Sequence, residues 1–380
     1  MLRVGLFSEC YHPIRNGIVA SLDALASALR ARGHEAIFVT PEMPGYRDVR
    51  DDVVRVPSLP LPTRTAYRLT VPYLPRALEF SIVHTHSPFV TGWLGVRAAR
   101  RARVPLVFTY HTQLEAYAHY VPFETRATRS AATQLTRGYA NAADAVIVPT
   151  ASMERRLREL GVRTRIEVIP SGIDVAFFAR GRRSESLRAR LGVAAGAKMV
   201  LSVGRLGREK NLELALEAFA LLGDPAAHLV IVGDGTHREA LQRFAARAGV
   251  AGRTTFAREF ERGALPDAYA SADTFLFTSE SETQGLVLVE ALAAGAPVVA
   301  VDTPQTREVL DGAAEIVPSD PRALAAALGR SLTGAIRDPA RSMSVAGRFD
   351  SVALGDRTLE LYSELLGSWA APRLAAAGAV

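Results

Sequence analysis

Short runs rich in Val, Ile, Phe and Thr alternate along most of this chain with longer runs of Ala, Leu and Arg, and midway the series starts again. Val4–Phe7, Ala36–Thr40, Ile82–His84, Leu106–Thr109 and Ala145–Val148 have the unbroken apolar character of strands buried on both faces. Between them the spacing predicts helices over Ile18–Arg30, Phe89–Arg101 and Thr125–Ala140. The segment Ile169-Pro170-Ser171-Gly172-Ile173-Asp174 interrupts the pattern with turn residues, and an Arg-rich polar stretch follows. Strands then resume at Met199–Val203, Leu229–Val232, Thr274–Thr278 and Val298–Val301, with helices near Leu212–Leu221, Arg238–Ala248 and Leu286–Ala294. Such alternation requires parallel sheets covered by helices, so the expected fold class is α/β with two Rossmann-like domains. The expected boundaries are 1–170 for the first domain and 171–356 for the second, with a C-terminal helix at about 357–380.

Composition narrows the setting. Apolar residues make up 48% and charged residues 22% of the 380, the balance of a globular protein. Cys10 is the only cysteine, so no internal disulfide can form and a reducing, cytoplasmic location is expected. No apolar run is long enough to cross a bilayer, so any membrane contact should be peripheral. Residues 1–170 carry 22 Arg against 14 acidic residues, whereas the rest has 23 basic and 25 acidic. The N-terminal half therefore suits an anionic surface, although a general preference for Arg and Ala would also produce this bias. No nucleic-acid recognition motif accompanies the charge, so nucleic acid is not an expected partner.

The chemistry concentrates after the predicted strands. Between residues 279 and 297, Glu282 and Glu290 stand eight apart around Gly285, with a strand before and an Ala/Leu/Val helix after. A helix N-terminus attracts phosphate, whereas carboxylates repel phosphate and match hydroxyls. Together they predict a site for a sugar nucleotide, with Thr283, Gln284, Gly285 and Leu286 at the turn. Gly204 through Asn211 also follows a strand and holds Arg205 and Lys210, one of only two lysines in the chain, a pair able to grip a diphosphate. Asp234, between Gly233 and Gly235, ends the next strand, and Arg258 follows Thr254–Ala257. No Asp-x-Asp and no Cys/His cluster occurs, so no metal cofactor is expected and cationic side chains take that role. In the first half, Pro13 and Gly17 frame a loop that opens a helix without the glycine spacing of a dinucleotide site. His84 and His86 follow one strand, Tyr110 and His111 another.

These motifs resemble those of the retaining glycosyltransferases of family 4, which have the GT-B fold. Glu282-x7-Glu290, Gly204-Arg205 with Lys210-Asn211, the Pro13-x3-Gly17 loop, and Thr109-Tyr110-His111-Thr112 match the family's signatures, and Pro170-Ser171-Gly172-Ile173-Asp174 resembles its Pro-Asn-Gly-Ile-Asp turn with Ser for Asn. The resemblance implies two domains facing a central cleft, with the C-terminal helix crossing back to the first. It implies a donor site of Gly17, Gly204, Arg205, Lys210, Asp234, Arg258, Glu282, Thr283, Gln284, Gly285, Leu286 and Glu290. His111, Glu282, Arg205 and Lys210 would be catalytic: His111 touches the transferred sugar, Glu282 holds its hydroxyls, and the basic pair stabilises the leaving diphosphate.

The runs His84–Gly95 and Thr109–Pro122, and the spelling Glu282-Thr283-Gln284-Gly285, are similar to the bacterial diacylglycerol glycosyltransferase branch. That similarity implies a UDP-hexose donor (glucose or galactose), a lipid acceptor, and contact with the inner face of the cell membrane. His86, Tyr110, Tyr117, His119 and Tyr120 are the acceptor-side candidates. The segment Leu59–Arg76 and the cluster Arg97, Arg100, Arg101 and Arg103 could meet headgroups. A soluble acceptor (a polyol, a sugar phosphate or another small metabolite), a GT-B epimerase, or a protein that binds sugar nucleotides without transfer are the alternatives.

Overall fold

A computed structural model describes residues 1–61, 67–74, 78–115, 125–335 and 338–377, with side chains described as far as 369. The chain forms two compact units, Met1–Gly172 together with Ser351–Val380, and Ile173–Asp350.

The first unit contains β1 (Arg3–Phe7), β2 (Glu35–Pro41), β3 (Val53–Val56), β4 (Ser58–Pro60), β5 (Arg68–Thr70), β6 (Ile82–Thr85), β7 (Leu106–Thr109), β8 (Ala145–Val148) and β9 (Arg165–Val168). Its helices are α1 (Gly17–Ala31), α2 (Val90–Ala102), α3 (Arg126–Ala140) and α4 (Ala151–Glu159). Seven strands form one parallel sheet in the order β3-β2-β1-β6-β7-β8-β9, and β4 and β5 pair separately as an antiparallel ribbon. Every residue of β6, β7 and β8 is buried, which is why these strands read as solid apolar runs. Phe7, Val83, Phe108, Val146 and Tyr139 lie at the centre of the core.

In the second unit come α5 (Val175–Ala179), α6 (Glu185–Arg190), β10 (Lys198–Val203), α7 (Leu212–Leu222), β11 (Ala227–Val232), α8 (Arg238–Arg247), β12 (Thr254–Ala257), α9 (Leu265–Ser271), β13 (Thr274–Phe277), α10 (Leu286–Ala293), β14 (Val298–Val301), α11 (Pro304–Leu310), β15 (Glu315–Val317), α12 (Pro321–Leu332) and α13 (Pro339–Gly347). The sheet is parallel throughout, ordered β12-β11-β10-β13-β14-β15. Val200, Leu229, Leu276 and Val299 from its central strands pack with Phe219 of α7 and Leu328 of α12.

The last helix, α14 (Ser351–Ala377), belongs to the first unit and packs on α1. It starts at Ser351, ahead of the 357 given as the domain bound, and runs through Gly355. A Cβ at Gly355 would lie 2.2 Å from that of Ala28, so the bare glycine lets the two helices touch. The first break between the units falls after Gly172, beside the expected 170. Among the described residues no helix is long and apolar enough to cross a membrane.

In both sheets the strand order reverses next to the first strand of the series, between β1 and β6 and between β10 and β13. Open parallel sheets bind ligands at the carboxyl ends of strands flanking such a reversal. The loops after those four strands carry most of the motifs read from the sequence.

Candidate active site

In the second unit the loops after β10 and β13 are tied together. Thr278 Oγ1 donates to the carbonyl of Lys210 at 2.9 Å, and Ser279 Oγ to that of Glu209 at 3.0 Å. The β10 loop closes in a single 3-10 turn over Arg208–Lys210, leaving Asn211 left-handed at φ 49. This scaffold places the Lys210 ammonium in an ion pair with Glu282, with both side chains mostly shielded from solvent. Arg205 Nη2 donates to the buried carboxylate of Glu209 at 2.6 Å. Sequence reasoning missed Glu209. It lies between the two cations and has no motif of its own.

Gly285 sits at φ 85 and ψ 68 and opens α10. Its N-cap is a glycine, which brings no side chain to that helix start, and the Lys210–Glu282 pair lies in the loops leading to it. First-turn amides with a cation nearby attract an anion. Gln284 is buried and Leu286 half-buried at the same turn. One helical turn further on, Glu290 Oε2 accepts the hydroxyl of Tyr269 at 2.6 Å. Burial raises the Glu290 carboxyl above its ordinary pKa, opposed by the Tyr269 hydrogen bond and the charge of Arg262. Tyr269, on α9, is fully buried against Phe275 and Phe178. It too escaped the sequence reading, since nothing local links it to a glutamate 21 positions away.

After β11, the Asp234 carboxylate accepts the Gly235 amide at 2.8 Å and Arg238 Nε at 3.0 Å, and Arg258 lies 3.5 Å away. Slight burial raises its pKa, but the amide and the two arginines outweigh this and hold it below the ordinary value. Arg258 is largely exposed, and the Gly204 amide donates to Val232 O at 3.0 Å.

In the first unit α1 begins at Gly17, and Asn16 Oδ1 already accepts the Val19 amide at 2.9 Å. One of the amides expected to meet phosphate is thus engaged by the protein's own cap. Glu9, which the sequence did not single out, takes the Thr91 amide at 2.9 Å and so caps α2 from outside the helix. Burial raises its pKa, and its bonds to Thr91 oppose this.

Three histidines meet at the ends of β6 and β7. His84 bonds Tyr362 of α14 at 2.5 Å and Thr109 at 2.6 Å. His86 Nδ1 lies 2.9 Å from His111 Nε2. Burial lowers the pKa of His84 to about 3, with the charge of His111 adding to the effect, and burial lowers His111 to about 4. His86, also buried, is held well below its usual value. Tyr110 is buried, with no partner for its hydroxyl among the described residues. Tyr117, His119 and Tyr120 lie outside the described residues.

Known proteins resemble this chain in sequence and in fold. Residues 15–177 match the family model described as Glycosyltransferase Family 4, and residues 183–348 the one described as Glycosyl transferases group 1. The chain is 33% identical over 322 residues to an alpha-monoglucosyldiacylglycerol synthase of Streptococcus pneumoniae, covering 81% of this chain and 73% of that protein. It is 35% identical to a GDP-mannose-dependent alpha-mannosyltransferase of Mycobacterium tuberculosis, covering 81% of each. The sucrose-phosphate synthase of Thermosynechococcus elongatus superposes with a TM-score of 0.79 over 97% of this chain and 100% of that one, at 22% identity, a likeness of fold. With two parallel Rossmann-like units and relatives of this extent, the chain belongs to glycosyltransferase family 4 and is a hexosyltransferase of the GT-B fold.

Proposed function

We propose that the protein moves a hexose, glucose or galactose, from its UDP derivative to the hydroxyl of diacylglycerol or a related membrane lipid, with retention at the anomeric carbon. The observation that carries the donor half is the ion pair of Lys210 with Glu282 at the strand-order reversal, in the loops leading to the glycine-led start of α10. Lys210 and Arg205 would hold the diphosphate, and Glu290 the ribose. Glu282 would share Lys210 with the diphosphate while binding sugar hydroxyls. His111 would touch the transferred sugar, with Asp234 and Arg258 towards the base. The acceptor side would draw on the first unit, with His86, Tyr110, Tyr117, His119 and Tyr120 as its candidates.

Transfer would be front-face. The bond from C1 to the phosphate oxygen breaks as the acceptor oxygen bonds the same face of C1, and the departing phosphate takes the acceptor's proton. Charge stabilisation on that leaving group is where the catalytic gain is largest. Arg205 and Lys210 supply it, so the reaction runs without a resident metal and should continue in EDTA.

The lipid half draws on the spelling around Gln284 and on the name of the pneumococcal relative. The mycobacterial relative is named for GDP-mannose, which makes the donor the first point to test. Nucleotide release should be followed with UDP- and GDP-sugars, with and without diacylglycerol in mixed micelles, and the anomer of the product read by NMR. UDP release that depends on diacylglycerol, with an α-linked product, is expected. Preferred use of GDP-mannose overturns the donor assignment, and transfer to a polyol or sugar phosphate without lipid overturns the acceptor assignment.

A further inference from the structure

His86 and His111 come from the ends of adjacent strands, and their rings lie at 22° with centroids 5.2 Å apart. The contact is Nδ1 of His86 to Nε2 of His111 at 2.9 Å, a hydrogen bond that one proton completes. Burial keeps both rings neutral, so each carries a single N–H and only one of the two can lie between them.

The other nitrogen of His86 decides which. Its Nε2 is buried and has no partner among the described residues. His86 lines a cavity within the first unit that is bordered by Ser21, Thr109, Ser171 and Thr358. Ser21 donates to Ser171 at 2.9 Å, Thr109 bonds His84, and Thr358 donates to Leu354 O at 3.0 Å, and none of these hydroxyls lies within hydrogen-bond distance of Nε2. A proton on Nε2 would leave a buried donor unmatched. A proton on Nδ1 leaves only a lone pair there and completes the bond to His111. Backbone and ring contacts hold His86 at this place. Its amide donates to Phe7 O at 2.8 Å, and the ring of His84 lies 4.2 Å from its own.

We propose that His86 is a positioning residue: it donates Nδ1–H to His111 Nε2, so that His111 is held in one orientation as the Nδ1–H tautomer. This rests on the reading of His111 as the group that touches the transferred sugar. It assigns the proton on that ring, and it gives His86 a role through His111 in place of direct acceptor contact.

The test is made on the full-length protein labelled with 15N, free of donor and acceptor. Long-range 1H–15N spectra separate protonated from bare ring nitrogens, and a His111→Gln variant assigns the His111 signals. His111 should be protonated at Nδ1 and bare at Nε2. His86→Ala should turn this into a mixture of tautomers, and His86→Asn, whose amide N–H stands in for Nδ1–H, should restore it. In transfer assays His86→Ala should lower kcat about tenfold or more with little change in donor KM, and His86→Asn should recover most of that loss. A wild-type His111 protonated at Nε2 overturns the proposal, as does a tautomer unmoved by His86→Ala. Should His86→Ala not fold, the wild-type and His86→Asn spectra still decide. Absence of transfer from every sugar nucleotide would overturn the parent reading, whereas the spectrum needs no substrate and judges the histidine contact alone.

Discussion

At the scale of single residues, the two glutamates of the signature have different surroundings. Glu282 is partnered by a cation in a loop, and Glu290 is buried and held by a neutral phenol. Different substitutions should therefore separate turnover from binding. On the proposed reading, Lys210→Ala removes a charge that stabilises the leaving group. It should lower kcat by about two to three decades, or about 2.7–4 kcal/mol, as loss of one preorganised donor does. Near-normal turnover in a folded Lys210→Ala protein would refute that role. Tyr269→Phe removes only the hydrogen bond that orients Glu290. Donor KM should rise about tenfold with kcat nearly unchanged, a loss of about 1–1.5 kcal/mol of binding shared by ground and transition states. Initial-rate kinetics over a range of donor concentrations distinguishes the two patterns. The glutamates, Lys210 and Arg205 stood out in the sequence because each pair sits at a fixed offset, Arg205 and Lys210 in the loop after β10 and Glu282 and Glu290 across the loop after β13 and α10. Glu209 and Tyr269 did not, because burial and packing give them their partners.

At the scale of elements, legibility followed position in the sheet. Central strands such as β7, β8 and β14 are buried throughout, and their limits matched the apolar runs to the residue. The strands that went unread in the two main sheets, β3, β9 and β15, all lie at sheet edges. There one neighbour is missing and none of the strands is buried along its whole length, so no continuous apolar run marks them. Two predictions belong to this scale. Gly285 holds the left-handed turn that starts α10, and a Cβ there would also press Leu288 Cδ1 at 3.1 Å. Gly285→Ala should cost about 1–2 kcal/mol in a urea titration and raise donor KM, since the helix start must shift. An unchanged midpoint would show that the turn tolerates a side chain. The second concerns the histidines at the ends of β6 and β7. Below about pH 6.5 the unfolded chain protonates them, whereas the folded unit refuses protons until about pH 4 at His111 and about pH 3 at His84. Stability is therefore complete above pH 6.5 and declines as the pH falls through that window, by about 1.4 kcal/mol per pH unit for each such histidine. Urea midpoints measured from about pH 7.5 to about pH 4.5 should show the decline, and His84→Gln should flatten it.

For the molecule as a whole, the sequence disclosed a charge asymmetry between its halves but not where the charge lies. The first unit arranges part of it. Phe89, at the start of α2, and Trp93, Arg97 and Arg100 within it, recur at helical spacing and are all exposed, so one stripe runs from aromatic to basic. Thr91 of α2 bonds Thr70 of β5 at 2.8 Å, and the neighbouring cross-strand pair Leu59–Leu69 is about half exposed on both sides. Exposed aromatic and aliphatic side chains beside arginines suit the interface of an anionic bilayer, where each basic residue near the surface contributes about 1 kcal/mol. We expect the protein to float with vesicles rich in phosphatidylglycerol at low salt and to be released as ionic strength rises and the Debye length shortens. Arg97→Glu with Arg100→Glu should abolish flotation at low salt. Trp93→Ala should weaken it at every salt concentration, because the apolar part is not screened. Neither change touches the donor loops, so UDP release with diacylglycerol presented in detergent mixed micelles should persist in both variants while transfer to diacylglycerol in vesicles falls. Failure of the wild-type protein to bind anionic vesicles at low salt would remove the membrane from this account and leave the stripe as an ordinary solvated helix face.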